Sequence, residues 1–200
     1  MEHASAPTHA LHAETHTGID SRKIAIWLFL GSEVMFFSAL IGAYLLTRAN
    51  AAKPAEVFDI ETIQLITFNT FLLIVSSLTM VLSLGFIRRG SQVGMRIALL
   101  ATILLGTTFV TIQAFEYRNL FNKGLTMNGD PFIFGSTFYL LTGFHGMHVI
   151  GGVIWNFFVW LKAMRGGFTQ DNNTGIELAG LYWHFVDLVW IVLFTIIYLL

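Results

Sequence analysis

Cysteine is absent from this chain of 200 residues, which excludes disulfides, thiolate metal sites and covalent c-type haem attachment. Charge is scarce as well: Asp, Glu, Lys and Arg make up 12% of the sequence and nearly cancel, leaving a net charge of −1. The 11 Lys and Arg residues are scattered through connections rather than gathered on one basic face, so nothing favours a nucleic-acid partner. What the chain has in abundance is apolar surface, with 55% hydrophobic residues and a mean hydropathy of +0.69. A soluble protein of this size would display that excess to water; here it must face lipid.

An all-α, polytopic membrane protein follows. Five stretches reach the roughly 20 apolar residues that a helix needs to cross the hydrocarbon core: 24–46, 63–87, 97–115, 132–161 and 178–200. Helix is the expected form because each backbone group must find its partner within its own segment. The first stretch is too long for a cleavable signal and is soon followed by another span. Basic residues in the connections favour the cytoplasmic side. Arg22, Lys23, Arg88, Arg89, Arg96, Lys162 and Arg165 fall on one side, against Arg48, Lys53, Arg118 and Lys123 on the other. That bias predicts a cytoplasmic N-terminus and a periplasmic or extracellular C-terminus. The organisation is then a tail, residues 1–21, followed by a five-helix membrane domain, residues 22–200. The tail lacks apolar periodicity and reads as disordered. Its His3, His9, His12 and His16 are incidental surface residues, a proton-collecting antenna or a stray-metal site, since histidine exchanges protons near neutral pH.

Ionisable residues inside the spans are expensive and usually mark a functional interior. Glu33 lies in the first span, His145 and His148 in the fourth, His184 and Asp187 in the fifth. At 1.5 Å per residue, Glu33 is about 14 Å from the inner end of its span, and His184 and Asp187 about 9 and 14 Å from theirs. The five groups are therefore expected to meet in one layer. Residues three apart share a helix face, so each pair is expected to aim at one target. Gly143, Gly146, Gly151 and Gly152 around the histidine pair are expected to let a neighbouring helix come close. Three chemistries fit such a layer: a structural hydrogen-bonded network, a proton-active site built on a buried carboxyl group, or a His and carboxylate metal site. Against metal stands the spacing, because paired helical ligands are more often four apart.

The residues around these groups resemble a known family. Gly135-Ser136-Thr137-Phe138-Tyr139, continuing through Thr142-Gly143-Phe144-His145-Gly146-Met147-His148-Val149, is similar to the signature of subunit III of cytochrome c oxidase. Tyr182-Trp183-His184-Phe185-Val186-Asp187-Leu188-Val189-Trp190 resembles its last helix, and Ser32-Glu33-Val34-Met35-Phe36-Phe37 and Gln113-Ala114-Phe115-Glu116-Tyr117 agree with two further segments. The resemblance runs in order from Arg22 to Leu200.

The resemblance implies a component of a bacterial plasma-membrane haem-copper oxidase that reduces oxygen to water while pumping protons. In that family, haem and copper belong to the partner subunits I and II. Subunit III packs on subunit I, binds phospholipid, and supports proton uptake and resistance to turnover inactivation. It implies no catalytic residue and no metal in this chain. Long members have seven helices, so five match the shorter bacterial form. Glu33 corresponds to the family's carbodiimide-reactive glutamate, and His145, His148, His184 and Asp187 fall on polar positions used without metal. Glu116 corresponds to a further carboxylate, expected to be solvated at the outer end of its helix. Quinol-oxidase and nitric-oxide-reductase-associated homologues are related alternatives, although Glu33 and Gly135-Ser136-Thr137-Phe138-Tyr139 look more like the cytochrome c branch. Outside the family stands an independent proton-coupled carrier, against which no inverted repeat is visible across the spans.

Overall fold

The computed structural model describes residues 20–50, 59–125 and 132–200. The histidines of the tail, the tail's own conformation and Lys53 lie outside the described residues. Five helices carry the fold: α1 (Ser21–Asn50), α2 (Ile60–Arg88), α3 (Gln92–Asn122), α4 (Phe132–Met164) and α5 (Thr174–Phe194), the last running into a π-helical turn at Thr195–Leu199. All five are long and apolar enough to cross a membrane.

Each helix outruns its apolar window. The window closes where charged residues begin, but the backbone ladder continues beyond the hydrocarbon core as long as its carbonyls find partners. The start of α3 is fixed by Ser91, whose hydroxyl accepts from the Gly94 N–H at 3.3 Å and satisfies one of the orphan donors of the first turn. The preceding turn needs Gly90, at φ +81°, to reverse the chain within three residues of α2.

The architecture is a four-helix ring with a fifth helix outside it. In the ring α2 packs on α3, α3 on α4, α4 on α5 and α5 back on α2, while α1 lies against α4 and α5. Consecutive helices are antiparallel, as short connections require. Buried hydrogen bonds record the register: Asn69 Nδ2 donates to the Phe109 carbonyl at 3.1 Å, Trp190 Nε1 to Thr70 Oγ1 at 3.0 Å, and Trp183 Nε1 to Ser76 Oγ at 3.0 Å. Trp183, Trp190 and Phe109, among the largest fully buried side chains, pack inside the ring, and α5 supplies two of them. Outward-facing residues such as Leu28 and Met35 on α1 are apolar, which suits lipid rather than water.

Among the described residues, the basic residues that the sequence divides into two groups lie at opposite ends of the bundle. At the richer end Lys23 Nζ pairs with Glu177 at 2.9 Å, Arg88 approaches the same carboxylate at 3.9 Å, and Arg96 Nε donates to the Ala163 carbonyl at 3.1 Å. Glu177 thereby ties α1, α2 and α5 together at that face.

Candidate functional site: polar groups inside the bundle

Glu33 and His148 meet across the seam between α1 and α4. His148 Nε2 lies 3.1 Å from Glu33 Oε2 across the α1–α4 seam, and His148 Nδ1 lies 2.7 Å from the Phe144 carbonyl. A carbonyl only accepts, so Nδ1 carries a proton and donates. The Nε2 contact then holds one further proton, placed on the carboxyl group with imidazole neutral, or on the imidazole with carboxylate ionised. Either way one proton is shared between two titratable groups at mid-membrane depth. The rings of Phe36 and Phe37 flank His148, with centroids 6.4 and 5.2 Å away. Tyr182 fixes the α4 backbone from the other side, its hydroxyl donating to the His148 carbonyl at 3.0 Å.

His145 does something else. It is completely buried, its Nε2 donates to the Val186 carbonyl at 3.1 Å, and its ring lies 4.8 Å from that of Trp190 and edge-on to Phe109. Nδ1 has no partner. This imidazole is a strut between α4 and α5. The expectation that His145 and His148 share a target is therefore corrected. Three residues at 3.6 per turn leave side chains about 60° apart, and on a helix with neighbours on two sides that angle is enough to send them to different partners.

His184 and Asp187 do stay together, facing α2. His184 Nδ1 and Ser77 Oγ share a hydrogen bond of 2.7 Å, and Ser77 also interacts with the Asp187 carboxyl group. One Asp187 oxygen is buried without a partner among the described residues. The layer expected from helix depth thus exists as three separate stations: Glu33–His148, His145–Val186 and Ser77–His184–Asp187. Among the described residues no three His, Asp or Glu side chains gather closely enough to hold one ion.

Glu116 is corrected outright. It is not solvated: it is 3% exposed and accepts from the Tyr198 hydroxyl at 2.8 Å. The helix continues past it to Asn122, and the returning C-terminal turn covers it. Tyr117 beside it donates to Thr142 Oγ1 at 2.7 Å, and Gln113 Nε2 donates to the Tyr117 hydroxyl at 3.2 Å. Gln113, Glu116 and Tyr117 therefore bind α3 to α4 and to the chain's end.

The glycines also need correction. Of Gly143, Gly146, Gly151 and Gly152, only Gly152 has a neighbour pressed against it: an added Cβ would lie 2.8 Å from the Trp183 ring and 3.1 Å from Tyr182. At Gly143 nothing comes within 4 Å, and at Gly146 and Gly151 the nearest atoms are at ordinary contact distances of 3.4 and 3.6 Å. Trp183 is met again at Gly106 on α3, where a Cβ would lie 2.6 Å from its ring. We predict that Gly143→Ala and Gly146→Ala leave the thermal midpoint of the purified protein unchanged within about 2 °C, the size of shift that a few tenths of a kcal/mol produces. A drop of more than about 5 °C would show that these positions are packed.

The polar partners on α2 escape a search for ionisable residues. Asn69, Ser76 and Ser83 recur every seven residues, and Thr70 and Ser77 repeat that step alongside them. A seven-residue repeat of small polar groups in an apolar helix is the signal of an inward stripe.

Comparison with known proteins adds the family. The family model for cytochrome c oxidase subunit III matches residues 5–200. A Mycobacterium tuberculosis protein named probable cytochrome c oxidase subunit 3 is 38% identical over 196 residues, covering 97% of this chain and 94% of its own length. A Bacillus subtilis protein named quinol oxidase subunit 3 is 31% identical over 202 residues, covering 96% and 97%. An Alkalihalophilus pseudofirmus cytochrome c oxidase subunit 3 is 32% identical over 183 residues, covering 90% and 87%. With matching that spans all five helices, the chain belongs to the cytochrome c oxidase subunit III family of the haem-copper oxidases, a multi-pass bacterial membrane protein.

Proposed function

We propose that this chain is the redox-silent subunit III of a proton-pumping terminal oxidase that reduces oxygen to water. It packs on subunit I, joins subunit II in the same complex, holds phospholipid against its helices, and supports proton uptake and the durability of the enzyme. Its basic end faces the cytoplasm, which puts the N-terminal tail and its four histidines on the proton-uptake side and the C-terminus outside.

The observation that carries this reading is the Glu33–His148 pair, a mid-membrane device that holds a proton without belonging to a metal site. Two of the imidazoles inside the bundle are poor candidates for haem or copper. His148 uses both nitrogens, and His145 spends Nε2 on Val186 while its ring is packed on Trp190. Haem and copper are accordingly assigned to the partner subunits, with this chain contributing no catalytic group. Cytochrome c is the favoured electron donor, since the Mycobacterium relatives at 38% identity carry that name. The Bacillus relatives named as quinol oxidase subunits keep a quinol donor as the second reading.

Glu33→Gln tests the supporting role. The amide N–H can donate to His148 Nε2, so the contact survives while the titratable carboxyl is lost. Initial oxygen consumption by the assembled oxidase is expected to stay within about twofold of wild type, a change of under 1 kcal/mol in barrier. The time for which turnover persists should shorten. A loss of initial rate of about a hundredfold, equivalent to nearly 3 kcal/mol, with assembly intact would instead make Glu33 an obligatory step in proton delivery.

A further inference from the structure

Ser77 uses its hydroxyl differently from its neighbours on α2. Thr67, Thr70, Ser76, Thr79 and Ser83 each donate to a carbonyl three or four residues back in their own helix, which consumes the hydroxyl proton. Ser77 keeps its proton for α5: its Oγ lies 2.7 Å from His184 Nδ1 and also interacts with the Asp187 carboxyl group. A hydroxyl has one proton to donate and lone pairs to accept with. The Ser77 proton therefore points to Asp187 or to His184, and the side chain it does not serve can donate to Oγ.

The two ends of this three-residue chain differ in cover. Asp187 is buried, and its Oδ1 has no partner among the described residues; His184 is half-buried, and its Nε2 has none among them either. A network that only pinned α2 to α5 would use those atoms, whereas this one leaves a valence open at each end. His184 is ten residues into the span that starts at Thr174, about 15 Å along the helix axis, which is hydrocarbon depth. Other elements bring charged or titratable groups to α5, but these are engaged elsewhere. Lys23 and Arg88 meet Glu177 at its inner end, Arg48 and Glu116 bind the turn at its outer end, and Glu33, His145 and His148 form the stations described above.

We propose that Asp187, Ser77 and His184 form a proton store with one entrance: a proton accepted at His184 Nε2 is passed through Ser77 and held on Asp187. In the empty setting the Asp187 carboxylate accepts from Ser77, and His184 Nδ1–H donates to Ser77 Oγ. Loading puts a proton on Nε2. The Nδ1–H bond then breaks as Ser77 Oγ takes that proton, and the old Ser77 O–H bond breaks as Asp187 takes the other. Asp187 ends as a neutral acid donating to Ser77, Ser77 donates to Nδ1, and His184 is neutral with its proton on Nε2. One proton has entered and none has left; unloading retraces the same bonds. The store is built from this chain's own residues, so its failure would leave the oxidase role untouched.

This mechanism has a signature that a structural hydrogen bond lacks, because the ring exchanges one neutral tautomer for the other instead of gaining charge. It is read by 15N NMR of histidine-labelled full-length protein in lipid nanodiscs, titrated from about pH 5 to about 9, the range in which histidine exchanges protons. The His184 signals are identified by their loss in His184→Gln. The expected result is Nε2–H at the acid end and Nδ1–H at the alkaline end, with no imidazolium accumulating between. Asp187→Asn and Ser77→Ala should each abolish the switch, and Ser77→Thr, which restores a hydroxyl, should keep it. If Ser77→Ala does not fold, the wild type, Asp187→Asn and Ser77→Thr decide by the same signals. A single His184 tautomer across the range, an imidazolium at its acid end, or a switch that survives Asp187→Asn or Ser77→Ala would each overturn the proposal.

Discussion

Replacing Gly106 with leucine should remove most of the chain from the membrane, and Gly106→Ala and Gly152→Ala should each destabilise it measurably. Trp183 of α5 is held between these two glycines, one on α3 and one on α4, and is 1% exposed. A methyl group at Gly106 would lie 2.6 Å from Trp183 Cη2 and 3.0 Å from Val153 Cγ2. The indole has little freedom to retreat, because its Nε1 is anchored to Ser76 Oγ on α2 at 3.0 Å. One side chain thus sets the spacing of all four ring helices. Overpacking by one methyl in such a site costs about 1–3 kcal/mol, and a leucine adds three more carbons with nowhere to go. The measurement is the amount of chain in isolated membranes, together with unfolding in mixed micelles titrated with SDS. The two alanine substitutions press on the same ring, so their combined effect should depart from the sum of the single effects. Wild-type levels of Gly106→Leu would mean that α3 and α5 are farther apart than described.

The second large effect is expected at Glu116. Glu116→Leu strands the Tyr198 hydroxyl in a buried position, and an unsatisfied buried group of this kind costs about 1–3 kcal/mol. Because Tyr198 belongs to the π-helical turn Thr195–Leu199, the loss should appear first as release of the C-terminal residues. Carboxypeptidase digestion of the purified protein reads this directly, and the trimming rate should rise severalfold. Glu116→Gln keeps an acceptor for Tyr198 and should be mild. In the double variant with Tyr198→Phe both polar partners are gone, so its cost should fall below the sum of the single costs. Additive costs would show that Glu116 and Tyr198 act independently.

Much of this architecture is legible in the sequence because a bilayer leaves few options. Apolar length fixes the number of helices, and the short connections at Gly90 and around Gly166 make neighbours antiparallel. Depth counting likewise put Glu33, His145, His148, His184 and Asp187 into one layer. What the sequence does not carry is the direction of each side chain within that layer. His145 and His148 are three residues apart, yet one props α5 and the other meets α1, because the azimuth depends on which helices stand on either side. Glu116 misled for a related reason: the end of a span looks solvated until the C-terminal turn is known to fold back over it. Gly106 drew no notice because a lone glycine in an apolar helix acquires meaning only when the facing residue is identified as Trp183.

The central claim is that this chain belongs to an oxidase whose redox centres lie in other subunits. The most direct test is a visible spectrum and metal analysis of two preparations made through a tag on this chain: one solubilised gently to preserve native contacts, the other the single chain expressed alone and refolded or purified in the same detergent. The gentle preparation should carry haem and copper and consume oxygen, and the single chain should be colourless and inactive. Stoichiometric haem or copper retained by the single chain, or a gentle preparation with neither, would contradict the account.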